Sequence, residues 1–299
     1  MMETKTTHEE FVRGTGLLVI EVVNSNPNGD PDNESEPRTR VGDRGEISPV
    51  SFKRKLRDLV EQKEGPVWQD LARRFDPRLP DDEFDLLERK GKTKRVAEIW
   101  AEIDGGRFVR RYWDARLFGN TFLQEKKSSS HISTGVVQFG MGISVAPVDI
   151  QRHTLTSKSG VQEDKDRGMA PLGYRVVQHG VYCMPFFVNP TAASKSGCTH
   201  RDLELMLRLV PYAYTHTASF VRPDVRMRHA WYIEHKTRLG SCPDSALIDG
   251  LTPIRKGDAN TASQGWSDYE VPAGLGEDLL KRVASCIDLA DHDWNTAST

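Results

Sequence analysis

The stretch GLLVIEVV (residues 16–23) is a nearly continuous apolar run in which Glu21 is the only charged residue. It is short and rich in β-branched side chains, which is typical of a strand that is buried on both faces. The run therefore predicts a central β-strand, and the elements on either side of it decide which sheet that strand belongs to.

Three later stretches also have strand character: TGVVQFGMGISVAPV (134–148), VVQHGVYCMPFFV (176–188) and HAWYIEHKT (229–237). Two helices are predicted between them. The first begins at Ser48-Pro49, a serine cap followed by proline, and the second begins at Thr199, where Asp202 completes a capping box. The order βαββαβ predicts an α+β fold, a ferredoxin-like or RNA-recognition-type antiparallel sheet with two helices on one face.

Two long insertions interrupt this order. Residues 66–130 are highly charged, contain proline and glycine, and predict an inserted, partly helical subdomain. Residues 149–175 carry few apolar side chains between two neighbouring strands, which predicts a projecting arm. Residues 1–15 are expected to be frayed, and the tail GLGEDLLKRVASCIDLADH (274–292) predicts an amphipathic helix.

Composition limits the class of protein. The chain of 299 residues is 37% hydrophobic and 28% charged, with a net charge of −2, so an anionic partner would need locally clustered cations. No apolar run is long enough for a membrane helix, and residues 1–15 lack the apolar stretch of a signal peptide. The four scattered cysteines show no metal-binding spacing. A cytoplasmic protein with free thiols and no metal or cofactor is expected.

The loop NSNPNGDPDNESEPRTR (24–40) follows the first strand. Its Asn24, Asn26 and Asn28 imitate a calcium loop, but Ser35 stands where a bidentate glutamate is required. A catalytic pair formed by Asp30 and Asp32 lacks a base and a third ligand nearby.

A series of turns explains this loop better, because Asn-Pro, Asn-Gly and Asp-Pro are all turn formers. Gly29 permits a positive φ and a close approach of a ligand backbone. The loop is therefore expected to position backbone beside the first helix.

Six segments in the same order resemble one known family. The loop NPNGDPD and the basic helix SPVSFKRKLRDLV resemble the start of the CRISPR Cascade backbone subunit, the Cas family numbered seven, in its type I-C and I-B branches. YWDARLFGNTF (112–122) is similar to its Asp-x-Arg-x-Phe-Gly element, and TGVVQFGMGISVAPV resembles its Gly-x-Val-Gln strand. HGVYCMPFFV (179–188) and EHKTRLGSCP (234–243) resemble later segments, so the resemblance covers residues 16–243.

The resemblance implies a non-catalytic subunit that polymerises along a CRISPR RNA (crRNA) in antiviral defence. About six copies would form a filament in which each copy holds about six nucleotides and leaves the bases free to pair with target DNA. The expected partners are crRNA, target DNA, further copies of the chain, and the large, small and guide-processing end-cap subunits of Cascade. The palm would comprise residues 16–65, 131–148 and 176–299, the finger-like insertion residues 66–130, and the thumb hairpin residues 149–175.

Lys53 and Arg57 share a helix face at i, i+4, flanked by Arg54 and Lys55. Such a face is either simply solvated or binds phosphate, and the resemblance favours phosphate, because a holder of variable guides must contact backbone rather than bases. The first strand also lacks the aromatic platform that ordinary RNA-recognition domains use for stacking. The predicted RNA-binding residues are Asn28, Gly29, Arg38, Lys53, Arg54, Arg57, Arg116, Gln138, Arg152, Lys158, Arg167, Arg228 and Arg238.

In the thumb, Leu155 or Met169 is predicted to wedge at a displaced base. The acidic stretch PDDEFDLLE (80–88) is a candidate contact with the basic faces of neighbouring copies. Two other functions remain open: an RNA-cleaving type III-like relative that uses Asp30 or Asp32, and a ferredoxin-like enzyme that binds a phosphorylated metabolite.

Overall fold

The computed structural model describes residues 11–88, 96–123, 130–157 and 170–291, and every statement below concerns these residues. The strands are β1 Gly14–Ser25, β2 Gly29–Asp30, β3 Glu36–Pro37, β4 Thr39–Arg40, β5 Arg44–Ile47, β6 Gly119–Leu123, β7 Ser130–Thr134, β8 Val137–Phe139, β9 Gly142–Pro147, β10 Ile150–Ser157, β11 Ala170–Val188, β12 Val225–His235, β13 Ile254–Arg255, β14 Tyr269–Glu270 and β15 Val283–Asp288. The helices are α1 Pro49–Glu61, α2 Pro66–Arg73, α3 Val96–Asp104, α4 Phe108–Arg111, α5 Trp113–Phe118, α6 Pro190–Ser196, α7 His200–Leu209, α8 Asp244–Leu251 and α9 Glu277–Leu280, with short 3-10 turns at Val210–Tyr212 and Trp266–Asp268.

A large antiparallel sheet organises the molecule. Its strands lie in the order β15-β12-β1-β11-β9-β5-β4, and β8 and β10 also pair with β11. Strand β1 lies in the middle, antiparallel to β11 on one side and to β12 on the other. The predicted mixed fold with an antiparallel sheet is therefore confirmed, and the run at residues 16–23 is a central strand.

Both faces of β1 are buried, which explains its continuous hydrophobicity. Leu18 and Ile20 face a cluster that includes Phe52 of α1 and Met206 of α7. On the opposite face, Leu17 and its neighbours join a second cluster with residues of α8 and of the segment around β14. The two predicted helices lie on one face, and the C-terminal segment covers the other.

Local capping signals place the helix starts correctly. The Ser48 Oγ accepts a hydrogen bond from the Ser51 N–H at 3.2 Å, and Pro49 follows at the first helical position. Helix α7 has the predicted capping box, in which Thr199 and Asp202 satisfy each other's backbone N–H groups. Helix α1 ends at Glu61, and Gly65 and Pro66 then begin α2 as its cap and first helical residue.

The prediction of a C-terminal amphipathic helix is wrong. Only Glu277–Leu280 is helical, and Val283–Asp288 forms β15 at the edge of the sheet, antiparallel to β12. The Asp288 carboxylate accepts hydrogen bonds from the Ala230 N–H at 2.8 Å and contacts the His229 ring at 2.7 Å. These contacts, which involve residues distant in sequence, override the helical periodicity of the segment.

The predicted arm begins as a hairpin of β10 and β11. Their register runs from Ile150 opposite Val177 to Ser157 opposite Ala170, and β11 then continues into the centre of the sheet. Residues 158–169, at the end of the predicted thumb, lie outside the described residues, so the predicted thumb limits stay a prediction. In the part of the chain that the structure describes, no helix is long and apolar enough to cross a membrane.

Candidate nucleic-acid interface

The loop of residues 24–40 is fastened to the segment of residues 215–222. The Asn26 N–H donates to the Val221 carbonyl at 2.7 Å, and the Arg222 Nε donates to the Asn26 carbonyl at 2.9 Å. The loop is also tied to the start of α1, because the Asn28 Oδ1 accepts from both the N–H and the hydroxyl of Ser48. Three segments that are distant in sequence therefore meet at one end of β1.

Asn28 and Gly29 have structural explanations in this loop. Asn28 is buried, and its carboxamide oxygen is used by Ser48. Gly29 does not use the positive φ that glycine permits; in this loop Asn24, Glu34 and Ser35 have positive φ. Gly29 is needed because a Cβ at this position would lie 2.9 Å from the Ser35 carbonyl oxygen, so the close approach is to the chain itself.

The charged groups of the loop are paired within the chain. Arg38 contacts Asp30 at 3.2 Å, and Arg175 of β11 contacts Glu34 at 3.3 Å and Glu36 at 3.6 Å. The base of the β10–β11 hairpin is thereby joined to the same region. These pairs fix the position of the loop, and they leave its arginines partly neutralised.

A basic cleft lies between α1 and the segment of residues 215–222. It encloses about 460 Å³ and is lined by Ser51, Arg54, Lys55, Asp58, Gln62, His216, Thr217, Ala218, Ser219 and Arg222. The Lys55 Nζ donates to the Thr217 hydroxyl at 3.1 Å and lies 4.9 Å from the centre of the Tyr214 ring. Arg222 donates to a neutral carbonyl group. The partly exposed guanidinium groups of Arg54 and Arg222 and several hydroxyl groups can bind a phosphate here, while Lys55, only 4% exposed, adds positive charge from behind and Asp58 offsets part of it.

Two predicted RNA-binding arginines lie inside the molecule. Only 5% of the Arg57 side chain is exposed, and it pairs with Asp114 at 2.9 Å and with Glu88 at 3.1 Å. Arg116 is also buried and pairs with Asp202 at 2.6 Å, while its other N–H groups donate to backbone carbonyls. Their geometry assigns them a structural role, so the proposal below does not include them.

Lys53 and Arg57 do share a helix face, as their spacing predicts. Their cationic groups lie 5.1 Å and 5.3 Å from the centre of the same Phe118 ring. Burial lowers the pKa of Lys53, Arg57 lowers it further, and Glu88 opposes the shift. Arg54 points toward the cleft and also donates to the Glu88 carbonyl at 2.9 Å.

The sequence between Arg222 and Arg238 carries a cluster of cations, Arg222, Arg226, Arg228, Lys236 and Arg238, and the structure divides it between the two ends of β12. Arg222 precedes this strand of 11 residues and Arg238 follows it, so their backbones are separated by roughly 35 Å at about 3.3 Å per residue. Arg228 lies on the strand between them, pairs with Glu21 at 2.8 Å and lies over the Trp266 ring. Arg222 is the member of this cluster that reaches the cleft.

The other predicted residues are dispersed. Gln138 is exposed and donates to the Gly135 carbonyl at 3.2 Å, and Arg152 is exposed on β10. Lys158, Arg167 and Met169 lie outside the described residues, and so does the side chain of Leu155, although its backbone pairs with that of Leu172. RNA binding by these residues stays a prediction.

No pattern in the sequence indicates that Thr217 and Ser219 lie in the cleft. Residues 215–222 follow the end of a helix and have no periodic pattern, so nothing in their order indicates what they face. They reach the cleft because β12 pairs with β1 and the turn before β12 must cross the C-terminal end of β1. Lys55 was recognised only as a flanking cation of the first helix.

Among the described residues we find neither a reactive cysteine nor a metal-binding site. All four cysteines are free. Burial raises the pKa of Cys183 to about 12 and that of Cys286 to about 11, which keeps both thiols protonated. No group of three His, Cys, Asp or Glu side chains in the described ranges is arranged to hold a metal ion.

Comparison with known proteins gives a family match over most of the chain. The model of the family described as "CRISPR-associated protein Cas7" matches residues 12–274. Two similar solved structures are a "CRISPR RNA-guided surveillance complex, pre-nicking" (16% identity, 74% of this chain and 78% of that chain, TM-score 0.44) and a "CRISPR RNA-guided surveillance complex" (16% identity, 84% and 78%, TM-score 0.39). A third is a "Type III-B Cmr-beta bound to cognate target RNA" (10% identity, 75% and 61%, TM-score 0.36). No curated protein sequence matches the chain.

Proposed function

The chain belongs to the CRISPR-associated protein Cas7 family, and from that premise we propose that it binds guide RNA by holding the RNA phosphates in the basic cleft beside α1. The resemblance inferred from its sequence motifs is thereby confirmed at the level of the family. The proposal concerns what this chain binds and through which residues.

The cleft is the observation that carries the proposal. Arg54 and Arg222 bring partly exposed cations from two separate segments to one opening, where Ser51, Thr217 and Ser219 add hydroxyl groups and the buried Lys55 adds positive charge from behind. Phosphate contacts of this kind position a nucleic acid without regard to its sequence. A net charge of −2 is compatible with RNA binding when the cations are concentrated at one place in this way.

The finer proposal is a non-catalytic backbone subunit of a type I Cascade. In it, copies of the chain polymerise along crRNA, present the RNA to target DNA and assemble with large, small and guide-processing end-cap subunits. The sheet would be the palm, residues 66–130 the finger-like insertion and the β10–β11 hairpin the thumb. The family membership, the large antiparallel sheet and the hairpin that extends from it support this assignment.

The test is the affinity of the R54A/R222A double variant for single-stranded RNA at several salt concentrations. Each lost phosphate contact should reduce the slope of log affinity against log salt by about 0.7, and unrelated RNA sequences should be weakened equally. The matched control is K281A/R282A, which removes two exposed cations near α9. A double variant with wild-type affinity and slope, or a loss confined to one RNA sequence, contradicts the proposal.

The same preparation distinguishes the two other functions. Metal-dependent cutting of RNA complementary to the guide, abolished by D30A or D32A, would identify an RNA-cleaving relative. A stoichiometric small phosphorylated ligand and no RNA in the purified protein would identify a metabolite-binding enzyme. Under our proposal the protein carries RNA when it is produced with its operon, and neither of these results is obtained.

A further inference from the structure

Three aromatic rings form a continuous row at the base of the β10–β11 hairpin. The His153 and Tyr174 rings are stacked, with centroids 5.4 Å apart and planes inclined by 23°. The Phe220 ring meets the Tyr174 ring edge-on at 5.2 Å. His153 and Tyr174 are directly opposite each other in the hairpin register, so strand pairing holds the two rings together.

The exposure of Phe220 is imposed by its backbone. Phe220 lies in a turn that is closed by the Arg222 N–H and the Ser219 carbonyl at 2.8 Å. The turn is fastened to the loop of residues 24–40 through the Val221 carbonyl and the Asn26 N–H. With the backbone held at both points, 62% of Phe220 remains exposed. A large aromatic ring fixed in water favours a partner that can cover its face.

The row lies next to the basic cleft. Ser219 and Arg222, which line the cleft, flank Phe220 in the same turn. A phosphate in the cleft would therefore be close to a ring surface suited to the base of the same or an adjacent nucleotide. This pairing of a cationic groove with aromatic side chains is how proteins bind single-stranded nucleic acid without sequence preference.

We propose that the row of His153, Tyr174 and Phe220 stacks against a nucleobase of the RNA whose phosphates occupy the cleft. This inference rests on the proposed function and adds a base contact to it. Every nucleobase has a π-face, so stacking is compatible with guides of any sequence. The contact would orient one base at the foot of the hairpin, while the phosphates of its neighbours are held by cations.

The test is a double-mutant cycle between Phe220 and the bases. The probes are a fluorescein-labelled, unstructured RNA of mixed sequence, roughly 20 nucleotides long, and the same RNA with every base replaced by an abasic ribose. F220A should bind the mixed-sequence RNA about 5- to 160-fold more weakly than the wild type. F220A and wild type should bind the abasic RNA equally, because no base remains to stack.

Two further variants complete the design. F220W keeps a stacking ring and should retain wild-type affinity, whereas I254A removes an apolar side chain of matched exposure, 63%, from β13 and should have no effect. Equal weakening of both RNAs by F220A would show that the ring acts on phosphates, on folding or on a protein neighbour, and it would overturn the stacking proposal. So would unchanged binding of the mixed-sequence RNA.

Failure of the proposed function gives a different result. If the wild type binds neither RNA, the guide-binding proposal fails and the stacking proposal fails with it. If the wild type binds both RNAs with the salt dependence expected of phosphate contacts while F220A equals the wild type on both, only the stacking proposal fails.

Discussion

Asp114 and Arg116 lie two residues apart on α5, and their side chains pair with different helices. Asp114 accepts a hydrogen bond from Arg57 of α1, and Arg116 pairs with Asp202 in the first turn of α7. The Asp-x-Arg element is therefore a clamp between the two helices that cover one face of the sheet. At the residue scale, a motif that suggests ligand binding from the sequence has a structural explanation in the fold.

Arg116 provides the prediction at this scale. R116A removes the cation that pairs with the buried Asp202, and breaking a buried ion pair from one side costs about 3–5 kcal/mol of unfolding free energy. R110A is the matched control, because Arg110 pairs with Glu83 with 79% of its side chain exposed, and removing such a solvent-exposed pair should leave the free energy of unfolding close to that of the wild type. Urea unfolding measures both values.

Measuring RNA affinity distinguishes a structural role of Arg116 in the clamp from a role in RNA binding. The folded fraction of R116A should bind RNA as the wild type does, since the buried guanidinium group has no surface to offer a phosphate. A variant that unfolds at the wild-type urea concentration but has lost RNA affinity would show that Arg116 is a ligand-binding residue after all.

At the scale of elements, the sequence predicts what local signals encode. Strand β1 follows from its apolar run, and the starts of α1 and α7 follow from their caps. Edge strand β15 could not be predicted, because its pairing with β12 is a contact between distant segments and its own pattern is helical. The sequence indicates one side of the cleft, because the cations of α1 follow one another in a recognisable order. It does not indicate the other side, because residues 215–222 are brought beside α1 only by the pairing of β12 with β1.

The β10–β11 hairpin gives the prediction for an element. Ser157 and Ala170 are the last pair of its register that the structure describes, so replacing residues 158–169 with Asn-Gly should close the strands with a two-residue turn. The shortened protein should unfold at the wild-type urea concentration and keep the RNA affinity that the cleft supplies, because the sheet and the cleft are unchanged, and it should lose only the contribution of the predicted RNA-binding residues Lys158 and Arg167. It should lose assembly or capture of target DNA if the hairpin is the proposed thumb.

The matched control for this change replaces residues 158–169 with a glycine-serine linker of equal length. This control tests whether the length of the segment or its side chains are required for assembly and DNA capture. If the linker variant has the same defect as the shortened protein, the side chains of the segment are required. Unchanged guide protection and unchanged DNA capture in both variants would refute the thumb assignment.

At the scale of the whole molecule, charge separation is the feature that permits a near-neutral chain to bind an anion. The cations of the cleft face one opening, whereas Asp81, Asp82 and Glu83 are not among the residues that line it. Several of these carboxylates have partners within the chain: Asp81 accepts from the Trp68 Nε1, and Glu83 pairs with Arg110. Asp82 is exposed, which makes it the better probe of contacts between copies.

The last prediction follows from this distinction. If acidic side chains of one copy meet the basic surface of the next, D82K should reduce the number of copies bound along a long RNA without changing the stability of the monomer. D278K, on the exposed α9 helix, makes the same charge change away from residues 80–88 and is the control. Native mass spectrometry on RNAs of increasing length gives the number of copies directly, and this number should rise in proportion to RNA length for the wild type and for D278K. Equal numbers of copies for D82K and the wild type would contradict the proposed acidic contact. A wild type that binds one copy per RNA at every length would contradict polymerisation itself.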